Sequence, residues 1–116
     1  MGENVVAEKS FAFALKIVNV YKHLSVVKKE FVLSKQLLKS GTSIGANVRE
    51  AIFAQSKKDF ISKMNIALKE ASETEYWLEL LCQSGYLENA ESDVRKDCRE
   101  LKKLLCSIVK SSKVNS

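Results

Sequence analysis

The sequence has no proline, only four glycines, a single histidine and a single tryptophan. With no proline and no glycine-rich linker, it reads as one compact domain over residues 1–116. A chain of this length buries roughly two-thirds of its unfolded surface, enough for one core. No run approaches the roughly 18 to 20 consecutive apolar residues that span a bilayer, so no membrane partner is expected. The start, Met1-Gly2-Glu3-Asn4, lacks the basic region and cleavage site of a secretory signal. Gly2 does not open a myristoylation motif, because Val6 stands where Ser or Thr is required. The expected location is cytoplasmic.

The scarcity of histidine bears on chemistry. A di-metal site in a helical bundle wants inward Glu-x-x-His pairs, and His23 follows no glutamate at that spacing. The three cysteines, Cys82, Cys98 and Cys106, are an odd number without CxxC spacing, and read as small buried hydrophobes. No serine has the flanking glycines of a nucleophile elbow. Ser40-Gly41-Thr42-Ser43-Ile44-Gly45 lacks the Gly-Lys-Ser/Thr ending of a phosphate loop. No enzyme, metal or cofactor is expected.

What is present is helical periodicity from end to end. Four helices are expected, over about 5–24, 29–55, 57–84 and 90–110. The first carries Ala7, Phe11, Ala14, Leu15, Val18 and Tyr21 on one stripe, and weakens at Ser25-Val26-Val27. The second has the seam Leu37, Gly41, Ile44, Val48, Ala51 and Gln55. Its two glycines each cost roughly 1 kcal/mol relative to alanine, so the helix needs them for close approach or polar contact. Ser56 with Asp59 forms a capping box for the third helix, and Gly85 fits the left-handed residue that ends it. Asn89 is the expected N-cap of the fourth, whose seam is Val94, Cys98, Leu101, Leu105 and Ile108. The tail Ser111–Ser116 is expected to fray. Short loops between apolar stripes predict an all-α fold, an antiparallel up-down-up-down four-helix bundle.

The third helix is apolar on two sides. Phe60, Met64, Ala67, Leu68, Ala71, Leu78 and Cys82 form its core stripe, while Ile66, Trp77, Leu80 and Leu81 lie elsewhere on its circumference. The second group is either an oligomer interface anchored by Trp77 or a broadened core stripe. Polar residues intrude as well. Ser43, Asn47 and Glu50 line one edge of the second helix, and Glu75 falls near the centre of the core stripe of the third. A buried carboxylate needs partners. Ser43 and Asn47 are therefore expected to donate to Glu73 or Glu75, in a network that fixes helix register rather than performs catalysis.

Net charge is +5, compatible with a polyanionic partner. One basic surface joins Lys28, Lys29, Lys35, Lys39, Lys57 and Lys58. Another runs along the fourth helix through Arg95, Lys96, Arg99, Lys102, Lys103 and Lys110. Either suits phosphate contact, and each also reads as a solvated helix face. Neither carries the interleaved aromatics of a single-strand reader.

The run Ser40–Ala51, followed by Asp59-Phe60, Ile66–Ala71, Glu73-Thr74 and Trp77-Leu78, resembles a bacterial family. Its members are four-helix-bundle proteins encoded in intervening sequences of 23S ribosomal RNA genes. The accessory variability determinant of diversity-generating retroelements looks like a relative. The resemblance implies a left-handed bundle that assembles as a homo-oligomer, typically a pentameric barrel with a basic exterior or pore. It implies nucleic-acid binding through the retroelement relative. Ser43, Asn47, Glu50 and Glu73 match the family's polar positions, whereas Gly45-Ala46 and Ala51 stand where many members have other small residues and a glycine. The leading expectation is a non-enzymatic homo-oligomer that binds RNA or DNA through basic surfaces. The alternative is a protein-interaction scaffold that binds no nucleic acid.

Overall fold

The computed structural model describes residues 2–88 and 92–114, and among them it has helices and no strand. Helix α1 spans Gly2–Lys22 and runs into a π-helical turn, His23–Val27; α2 spans Leu33–Ile52, α3 Lys57–Gln83 and α4 Ser92–Val114. α1 packs against α2 and α4, and α3 packs against the same two. The result is an antiparallel up-down-up-down four-helix bundle, 46 Å long and 20 Å across in both other directions.

Local signals set most of the boundaries. Ser56 Oγ accepts the backbone N–H of Asp59 at 3.0 Å, which caps α3 as the sequence predicts. Gly85 takes φ of +89°, and its N–H donates to the carbonyl of Cys82 as the helix ends. α2 begins later than predicted. The β-branched stretch Ser25-Val26-Val27 does not break α1 but widens it into the π-turn, and Lys29 then adopts φ of +56°. Glu30 next caps α2 from outside. Its carboxylate accepts the N–H groups of Val32 (3.1 Å), Leu33 (2.9 Å) and Ser34 (2.7 Å). Burial works against that charge, but the three amides and Ser34 outweigh it and hold the carboxyl below its usual range. α2 stops at Ile52, which leaves Gln55 in the exposed turn. α4 runs on to Val114, so residues 111–114 of the expected frayed tail are helical. Asn89, and residues 115–116 of that tail, lie outside the described residues.

The core is one cluster fed by all four helices. Leu37, Gly41, Ile44, Val48 and Ala51 of α2 are buried as predicted. In α4, Val94, Cys98, Leu101 and Leu105 are buried, and Val109 takes the buried place expected of Ile108, which is half-buried. α1 corrects the expectation. Its buried stripe is Val6, Ser10, Phe13, Ile17, Val20 and Leu24, while Phe11 and Leu15 from the predicted stripe are 52% and 54% exposed. Both stripes have helical spacing, so periodicity could not choose between them. Glycine decides the choice. A β-carbon on Gly41 would lie 2.8 Å from Ile17 Cγ1 and Cγ2, and one on Gly45 would lie 3.3 Å from the carbonyl oxygen of Ser10. α2 presses its backbone against this side of α1 and seats Ile17 in the gap.

Candidate nucleic-acid interface and helix contacts

The polar residues of α2 stay on their own helix. Asn47 Nδ2 donates to the carbonyl of Ser43 at 2.9 Å, and Ser43 Oγ donates to that of Lys39 at 2.6 Å. Glu50 pairs with Lys63 of α3 at 3.2 Å. Glu73 accepts from Trp77 Nε1 at 3.1 Å, one turn along α3. Glu75 is half-buried beside α4 rather than central in the core, and pairs with Lys102 at 3.0 Å. The expected network from Ser43 and Asn47 to Glu73 or Glu75 is therefore not formed. A step of one residue turns a helix by about 100°, which separates Glu75 from the buried line.

The α2–α3 hydroxyl contact is a different pair, missed by sequence reasoning. Thr74 Oγ1 and Ser40 Oγ are hydrogen-bonded at 2.9 Å, and both residues are fully buried. Thr74 also donates to the carbonyl of Glu70 at 2.7 Å. The signal was in the spacing, because Ala67, Ala71, Thr74 and Leu78 form an unbroken three-four stripe.

The second apolar face of α3 is narrower than expected. Leu81 is fully buried in the chain's own core, which removes it from any interface. Ile66 is 37% exposed, and Trp77 and Leu80 are half-buried. Trp77 packs on the core cluster and meets Tyr76 edge-on, with centroids 5.0 Å apart.

The two basic surfaces fare differently. Lys28 and Lys29 lie before α2, while Lys57 and Lys58 open α3 beyond its far end. The 20 residues of α2 put about 30 Å between the two pairs, with Lys35 and Lys39 on the helix itself, so the six lysines do not form one patch. The α4 set holds together. Projected at about 100° per residue, Arg95, Lys96, Arg99, Lys102, Lys103 and Lys110 fall within roughly one-third of the helix circumference. Lys96, Arg99, Lys103 and Lys110 are exposed, Arg95 is half-buried, and Lys102 is engaged by Glu75. The acidic residues Asp93, Asp97 and Glu100 occupy the flank toward α1, where Lys16 pairs with Asp97. That pairing, through its hydrogen bond and then its charge, holds the Lys16 ammonium above its usual range. The basic stripe is thus centred on a different arc from the helix's own carboxylates, and Lys96 and Lys103 at its edge stand one turn from Glu100.

Other groups carry less chemistry. Cys98 is buried, its Sγ lies 3.5 Å from the Ala71 carbonyl, and burial foremost, with Glu75 adding, pushes its thiol up to about 12. Cys82 and Cys106 are half-buried and unbonded to another sulfur. Among the described residues no group of three or more His, Cys, Asp or Glu is placed to hold a metal ion, and no helix is long and apolar enough to cross a membrane.

With that geometry in place, the sequence model of the 23S rRNA-intervening sequence protein family matches residues 2–107, nearly the whole bundle. The chain belongs to that family. Among solved structures, it is similar to a protein of unknown function from the S23 ribosomal protein family of Bacteroides thetaiotaomicron VPI-5482. The two share 58% identity and a TM-score of 0.92, over 95% of this chain and 99% of the other. A comparison with curated proteins gave no match. The span matched to the 23S rRNA-intervening sequence protein family takes in the seam glycines and all of the α4 stripe except Lys110.

Proposed function

We propose that this chain is a non-enzymatic, cytoplasmic homo-oligomer that binds RNA or DNA through the basic stripe of α4. The observation that carries the reading is the segregation of charge on that helix, with Lys113 joining the six cations of the stripe on one arc and three carboxylates centred on another. Phosphate contact needs accessible cations on a continuous surface, and a rigid helix supplies them at fixed spacing. Copies in an oligomer repeat the stripe, so weak contacts add through multivalency. Five copies, and kinship with the accessory determinant of diversity-generating retroelements, are the finer forms of the reading that the resemblance favours.

Binding of a structured RNA fragment and of duplex DNA across a salt series tests it. Affinity should fall steeply with salt, and Arg99→Glu/Lys103→Glu should weaken binding to every sequence alike. Affinity unchanged between low and moderate salt overturns the electrostatic mechanism. The alternative, a protein-interaction scaffold without nucleic-acid binding, draws support from the exposed Val26, Val27, Phe31 and Val32 at one end of the bundle. Nuclease-treated protein that binds neither polymer at low salt, yet remains folded and associated, selects that reading.

A further inference from the structure

Two groups of apolar side chains left uncovered along the bundle fall on faces that share α2, while Val5 and Tyr76 lie elsewhere. Across α1 and α2, a trough is lined by Ala7, Phe11, Ala14, Gly45 and Ala46, with Leu15 and Val18 continuing it along α1. Phe11 and Leu15 are its most exposed large side chains. Its border is mainly cationic. Arg49 lies 5.7 Å over the Phe11 ring, and Lys22 and Lys35 stand toward the other end, against Glu8 and a Glu50 already paired with Lys63.

Across α2 and α3 the uncovered group is Ile66 with Trp77, and its border is mainly anionic. Glu70 and Glu73 stand between them, with Lys39 opposite on α2, and neither glutamate joins a salt bridge among the described residues. Partial burial and then Glu73 push the Glu70 carboxyl up, while Lys39 opposes. A pair of carboxylates in that state gains from an added cation.

We propose that a second copy of this chain docks its Ile66–Trp77 face on the Phe11–Leu15 face of the first, with Arg49 approaching Glu70 and Glu73. The inference rests on the homo-oligomer reading and specifies its contact. Pairing either face with itself would set cations against cations or carboxylates against carboxylates, whereas pairing one with the other joins apolar to apolar and opposite charges around it. Trp77 and Arg49 are the residue types that anchor such contacts. A contact between two unlike faces is head-to-tail. Repetition of such a contact makes a ring where the rotation per step closes and an open chain of copies where it does not.

The test uses two variants, each damaged on one face at exposed positions: Phe11→Glu/Leu15→Glu and Ile66→Lys/Glu73→Lys. Circular dichroism confirms that each is folded, and light scattering reads the mass. The wild type is expected to be oligomeric and each variant monomeric. A 1:1 mixture of the two should then form a heterodimer that grows no further, because one intact face of each kind remains. Leu15→Gln and Ile66→Gln serve as milder forms, each expected to raise the dissociation constant at least about tenfold. Full assembly of Phe11→Glu/Leu15→Glu, self-assembly of Ile66→Lys/Glu73→Lys, or a mixture that stays monomeric overturns the pairing and leaves the oligomer reading standing. A monomeric wild type overturns both.

Discussion

α2 and α4 are amphipathic helices of similar length, and they join the bundle by opposite means. α2 meets α1 through glycines that bring its backbone against Ile17 and Ser10, meets α3 through the buried Ser40–Thr74 pair, and is capped by a carboxylate that accepts three backbone amides. α4 meets the bundle through Val, Leu and Cys side chains, and its cross-helix charge pairs, Lys16–Asp97 and Lys102–Glu75, sit at the surface. Contacts of the first kind tolerate one shape and one partner. Contacts of the second kind tolerate many. The contrast explains why the small-residue run Ser40–Ala51 is the most specific part of the sequence, while the charged surface of α4 is free of packing demands.

If the contrast is sound, the largest loss comes from filling the glycine gap. Gly41→Leu should cost about 3 kcal/mol, since the added carbons meet a buried β-branched side chain that cannot swing away. Urea midpoints measure this, and a wild-type midpoint would show that the helices part freely. Next comes Thr74→Val, which leaves the buried Ser40 hydroxyl only its long 3.4 Å contact to the Leu37 carbonyl and should cost about 1–3 kcal/mol. Adding Ser40→Ala should recover much of it, because no polar group is then stranded. Third is Glu30→Gln, expected to cost about 0.5–2 kcal/mol at neutral pH, as loss of a helix cap does. The folded carboxyl of Glu30 titrates below its unfolded value. Its contribution is therefore present above the ordinary carboxylate range and disappears as pH falls through the lowered folded value. An acid titration of stability should be shallower for the variant, and identical acid limbs would remove Glu30 from this role. Smallest is Asp97→Asn on α4, expected to cost no more than about 1 kcal/mol and to matter less still in high salt. A loss as large as that of Gly41→Leu would erase the distinction between the two helices.

The sequence was most legible where one residue type answers one local need. α3 starts at Lys57 because Ser56 caps it at the N–H of Asp59, and ends before Gly85 because that position is left-handed. The seam of α2 was legible for a related reason, since its glycines had to be explained by close approach. Legibility failed where two solutions have the same period. α1 carries two apolar stripes, and only contact with α2 picks Phe13 and Ile17 over Phe11 and Leu15. It failed again where one position of error turns into a different face, as with Thr74 buried and Glu75 beside α4. The start of α2 was hidden because its cap is a glutamate reaching forward from a turn, not a Ser or Thr at the helix edge. The six-lysine surface joined residues near in charge pattern but separated by the length of a helix.

A helix with two apolar stripes, roughly 120° apart around its axis, has two ways to lie on a bundle. Gly41 acts as a keyway for α1. The slot it leaves admits the branched side chain of Ile17, and so blocks the roll that would bring Phe11 and Leu15 inward. A missing side chain on one helix thereby sets the angular phase of its neighbour, and with it which hydrophobic surface the molecule turns outward.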